Sequence, residues 1–138
     1  MKNILYTLFT LFLISSCTTE TVRDAKQETS HPKIYPDYVD VTIPVNIAPL
    51  NFCMADEKAL LIDAVVADNQ GNSLHSQGDE ALDFDIDDWH QILDNNRGKK
   101  LTVTVSAKYE DGWHTYRPFS ILVSNDSIDY GICYRLMR

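Results

Sequence analysis

Cysteines are few in this 138-residue chain. There are three, Cys17, Cys53 and Cys133, and none belongs to a Cys-x-x-Cys pair. That removes zinc-ribbon, dithiol redox and haem-attachment chemistry. The histidines are His31, His75, His90 and His114, and no two share the spacing of a metal pair. No Gly-x-Ser-x-Gly elbow is present, so the serines have no nucleophile motif around them. No apolar run reaches the roughly 20 residues of a membrane-spanning helix. Positive charge is scarce too: 12 Lys and Arg stand against 20 Asp and Glu, a net charge of −8. Such a surface repels phosphate backbones, so no nucleic-acid partner is expected. No cofactor is expected either.

What is present begins at the N-terminus. Lys2 supplies a positive start, and Ile4 to Ile14 is apolar apart from Thr7 and Thr10. Ile14-Ser15-Ser16 then leads into Cys17. This is the pattern of a bacterial lipoprotein signal peptide, with cleavage before a cysteine that takes the lipid. Residues 1–16 are expected to be removed and Cys17 to be acylated. Several acyl chains would anchor firmly, at about 0.8 kcal/mol per buried methylene. Losing residues 1–16 takes away Lys2 and no acid, leaving 11 basic against 20 acidic residues, a net charge of −9. The expected location is the cell envelope, at the outer membrane, on its periplasmic or surface face.

Residues 17–33 comprise Cys17 and a stretch of Thr, Glu, Lys, Gln and Ser with little apolar content. Its composition predicts a flexible tether. From Ile34 to Arg138 the pattern is that of one domain. Tyr38–Ile43 alternates as a short strand, and Pro44 and Pro49 bracket an edge or bent crossing. Leu60–Ala67 is nearly continuously apolar, as in a buried strand. A turn at 68–72 should return a short strand through Ser73–Ser76. Asp87–Asn95 reads as a helix capped by Asp87, with Trp89, Ile92 and Leu93 on one face and Gly98 near its end. Leu101 to Tyr109 alternates cleanly, and Glu110-Asp111-Gly112 turns the chain into a returning strand over 113–123 that Pro118 could bulge. Tyr130–Leu136 reads as a last strand. Short strands, tight turns and one small helix predict an all-β fold, an antiparallel immunoglobulin- or fibronectin-like β-sandwich.

Few constellations could carry chemistry. Asp83, Asp85 and Asp87 alternate, so an extended chain would project them to one side as calcium ligands, although a calcium loop's glycine and closing glutamate are absent. The competing reading is a solvated strand edge and a helix cap, with Phe84 and Ile86 facing the core. Cys53 and Cys133 sit in strand-like surroundings; in an oxidising compartment they could pair, and otherwise they are two buried thiols. Trp113, Tyr116 and Tyr109 group around a hairpin: exposed, they could bind sugars or peptides, and buried, they are cross-strand packing.

Two stretches resemble a known family. They are Ile34-Tyr-Pro-Asp-Tyr-Val-Asp-Val-Thr-Ile-Pro-Val-Asn-Ile-Ala-Pro-Leu-Asn-Phe52, and Trp113 to Val123 continuing through Ile128-Asp129 to Tyr134-Arg135-Leu136. Together they resemble the N-terminal region of large bacterial envelope lipoproteins with a TolB-like β-propeller. The Asn46–Phe52 block is the most specific part. The resemblance implies an envelope location and a domain that precedes a propeller, and it implies no catalytic residue. The chain departs from the pattern in stopping where the propeller would follow, as a truncated relic, a fragment or a free-standing domain would, and in carrying Cys53 and Cys133.

The expected role is therefore a lipid-anchored, non-enzymatic interaction or scaffold module for an envelope protein. Its candidate contacts are the Tyr35–Asn51 segment and the Trp113/Tyr116 hairpin. The alternative is a glycan-binding accessory lipoprotein using the same aromatics.

Overall fold

The computed structural model describes residues 19–129 and residue 131. The expected signal peptide, Cys17, Cys133 and most of the expected last strand lie outside those residues. The described chain is mostly β with one short helix.

The strands are β1 (Lys26–Gln27), β2 (Ile34–Tyr35), β3 (Thr42–Ile43), β4 (Cys53–Met54), β5 (Leu61–Ala67), β6 (Ser73–Gly78), β7 (Lys100–Tyr109), β8 (Gly112–Thr115) and β9 (Phe119–Val123). The helix α1 (Ile86–Asn95) lies between β6 and β7. Seven strands form one sheet in the order β1-β8-β7-β5-β6, with β9 also on β7 and β3 on β9. A separate pair, β2 and β4, is antiparallel. The expectation of a purely antiparallel fold is corrected: β1 runs parallel to β8 and β3 parallel to β9.

Strand β7 organises the sheet because its alternation is the longest in the chain. Ala64 faces Val105 and Val66 faces Val103, so one face of β5 and β7 is uniformly aliphatic. Ile62, Ala64, Val66, Leu101, Val103 and Val105 are all buried there. Trp89, Ile92 and Leu93 of α1 share one core with that face, together with Ile34, Ile43, Val45, Leu50, Phe52, Leu82, Phe84 and the β9 residues Phe119, Ile121 and Val123. The opposite face carries Asp63, His75, Gln77, Thr104, Ser106 and Lys108, as period-2 alternation requires.

Several local expectations are refined. The helix begins one residue earlier, and its cap is Asp85, whose carboxylate accepts from the Asp87 and Asp88 N–H groups. Gly98 takes φ of +70° after the helix, as its place in the sequence implies. Ile86 is 54 % exposed and does not face the core. Tyr38–Ile43 contributes only Thr42 and Ile43 as strand, and Asp40 before them has φ of +55°. The return from Gly112 divides into β8 and β9, each pairing with its own half of β7. Pro118 lacks an N–H and falls in the gap between them.

Residues 19–33 are not the loose tether their composition implies. Glu20, β1, Ser30 and Lys33 all hold backbone positions on the body. The reason is specific hydrogen bonding, which composition does not encode. Burial of apolar surface contributes little, since most of these side chains are exposed.

Candidate functional site

At the β1–β8 edge the turn at Asp111-Gly112 and the parallel pairing of β1 bring charged groups together. Lys26 lies opposite His114 in the register. Glu28, one residue past β1, reaches the His114 Nδ1 at 2.8 Å, and Asp111 approaches its Nε2 at 2.9 Å. Lys26 adds a 3.5 Å contact to Glu28. The Tyr109 ring meets the imidazole edge-on, with centroids 5.1 Å apart. Bonding to Glu28, then to Asp111, raises the His114 pKa above its ordinary 6.5. The same contacts lower Glu28 and Asp111. An imidazolium donating from both nitrogens to two carboxylates is a fastener. Both of its ring nitrogens are engaged, so neither is placed to take a proton from a substrate.

Beside this cluster an open groove of about 550 Å³ is lined by Glu57, Lys58, Leu60, Tyr109, Glu110 and Asp111. Leu60 is 52 % exposed at its edge. Three of its side chains are acidic and one is basic, so the groove suits a partner with an apolar contact and positive charge. A second groove of about 550 Å³ has Val45, Asn46, His90, Asp94, Arg97, Ile128 and Asp129 around it. Its Asn46 side chain is held in place by both the N–H and the carbonyl of Ile128.

A further polar cluster lies on the face of the sheet opposite the helix. Asp63 is 6 % exposed, and its Oδ2 takes the His75 Nε2 at 2.5 Å and the Gln77 Nε2 at 3.0 Å. Gln77 also clasps Glu20: the Glu20 N–H donates to Oε1 at 2.8 Å, and Nε2 donates to the Glu20 carbonyl at 2.7 Å. The Lys108 ammonium meets the Glu20 carboxylate at 2.5 Å.

The residues singled out from sequence are placed as follows. Trp113 is only 6 % exposed. It lies opposite Lys108 in the register, hence on the outer face, whereas Tyr109 lies one residue along β7 on the other face. Tyr109 and Tyr116 do meet, hydroxyl to hydroxyl at 2.9 Å, and burial with that bond raises the Tyr116 pKa. The three aromatics therefore form no single platform. Asp83, Asp85 and Asp87 are exposed but do not converge. Asp83 binds the Asn51 amide and Asp85 caps the helix, and no group of acids or imidazoles among the described residues is spaced to hold a metal. Cys53 sits in β4, its thiol on the Tyr35 carbonyl at 3.4 Å. Cys133, the cysteine with which it could pair, falls outside the described residues, as does Cys17.

Sequence reasoning missed the Glu28–His114–Asp111 fastener, because Glu28 and His114 are 86 residues apart. A lone Asp63 within an apolar run was a usable signal, since a buried carboxylate demands donors. No protein-family model, no curated protein and no solved structure matches this chain.

Proposed function

We propose that the chain is a lipid-anchored module of the cell envelope that binds a partner protein and performs no chemistry of its own. The anchor reading rests on Ile14-Ser15-Ser16-Cys17 after a short apolar run. The binding reading rests on one observation: the groove beside the hairpin offers an exposed Leu60 and the Tyr109 side chain within an acidic rim. An exposed aliphatic beside an aromatic, ringed by charge, is the pattern of a small interaction surface. The outer membrane is the proposed location, and a TolB-like propeller lipoprotein is the proposed kin. The finer fold reading is an immunoglobulin-like sandwich whose second layer is reduced to β2–β4 and α1; the sharing of one core by both sheets supports it. The glycan-binding alternative loses its strongest ring, because Trp113 is buried.

Two experiments test the two halves. Metabolic labelling with palmitate should mark the wild-type chain and not Cys17→Ala; an unlabelled wild type refutes the anchor. A photocrosslinker at Leu60, in intact cells, should capture a specific envelope protein that a crosslinker at Asp87 does not. No capture, or equal capture at both positions, refutes the groove as a binding surface.

A further inference from the structure

We infer that the outer face of the seven-stranded sheet, the face to which Glu20 is fastened, lies against the lipid surface, so that the anchor sets the orientation of the body as well as its location. The inference rests on acylation of Cys17. Only three peptide steps separate Cys17 from Glu20, a reach of at most about 11 Å whatever path the chain takes. Glu20 is held by three contacts: two reciprocal hydrogen bonds with Gln77 and an ion pair with Lys108. Gln77 is itself fixed by the buried Asp63. A lipid on Cys17 is thus confined near the β6–β5–β7 face and cannot lie beneath the helix layer.

The charge distribution agrees. Residues 79–94, which form the layer on the other side of the sheet, carry seven acids and no Lys or Arg. The outer face of β7 instead presents Lys100, Thr102 and Thr104 beyond Lys108. An anionic bilayer surface repels the helix layer and tolerates the sheet face, in line with the direction the short leash imposes. Thr102 and Thr104 offer hydroxyls and no greasy insertion, so the face rests at headgroup depth. The groove at Leu60 is left open to a partner.

The experiment uses the full chain extracted in lipidated form and reconstituted into phosphatidylethanolamine–phosphatidylglycerol vesicles, in a Cys53→Ala, Cys133→Ala background. Single fluorophores are placed at Thr102→Cys or at Asp87→Cys, and energy transfer to a headgroup-labelled acceptor lipid is measured. Flotation first reads the anchor. Vesicle-bound protein should show severalfold stronger transfer from position 102 than from 87. Releasing the leash with Gln77→Ala plus Lys108→Ala should shrink that ratio while flotation persists. Equal transfer from both labels in floating protein overturns the orientation and leaves the anchor standing. Failure to float overturns both.

Discussion

His114 joins β1 to the hairpin through charge, and charge makes that junction depend on pH. Its pKa is raised on folding by Glu28 and Asp111. The stabilisation from the imidazolium is therefore complete below the unfolded value near 6.5 and is lost as pH climbs through the higher folded value. Glu28 and Asp111 shift the other way, so their share is present above their ordinary values of 4.5 and 3.8 and disappears as pH falls through the lowered ones. The fastener is strongest in the mildly acidic window between these limits. His114→Gln should lower the melting midpoint most in that window and progressively less above neutrality; a penalty independent of pH contradicts the charged form. Asp63 teaches a related lesson. A single acid inside Leu60–Ala67 announced that donors must converge on it, yet nothing local named His75 and Gln77, which arrive from β6 through the strand register. Gln77→Ala should speed hydrogen exchange at the Glu20 amide while leaving β7 amides unchanged, and unchanged Glu20 exchange contradicts the clasp.

At the scale of elements, legibility followed the length of the pattern. The alternation of β7 runs the length of a ten-residue strand, and the i, i+3, i+4 triad Trp89, Ile92 and Leu93 marks the buried face of a ten-residue helix, so periodicity alone located both. Their ends were less visible. Asp85, Asp87 and Asp88 are all competent caps, and the choice depends on which backbone turns first. Asp85→Ala should cost about 1 kcal/mol, the usual worth of an N-cap, whereas Asp87→Ala should stay within about 0.5 kcal/mol; urea melts of the two variants decide. Trp89→Ala should cost about 3–5 kcal/mol, since it empties a fully buried site, and it also removes the indole N–H from the Ile47 carbonyl. A smaller loss would mean that the helix does not close the core. The two-residue strands β1 and β3 were illegible because partners distant in sequence define them. Parallel pairing of β1 with β8 needs a crossover of more than 80 residues, which no local signal records.

Over the whole molecule, two asymmetries point the same way. The acids gather on the helix layer, and the chain just after Cys17 is fastened to the opposite side. The first is visible in the composition of residues 79–94, whereas the short distance from Cys17 to the body emerged only when Glu20 was found on Gln77 and Lys108. A stretch rich in Thr, Glu and Lys looks like a spacer unless its carboxylates have cationic partners waiting elsewhere. Under the proposed anchor, the body would be held close to the membrane, with the Leu60 groove on offer to a partner. All of this depends on the chemistry of position 17. Mass spectrometry of the N-terminal tryptic peptide from membrane-extracted protein is the most direct test. The expected species is the Cys17–Arg23 peptide with an acylated cysteine as its first residue. An unmodified Cys17, or a mature chain that begins elsewhere, contradicts the account.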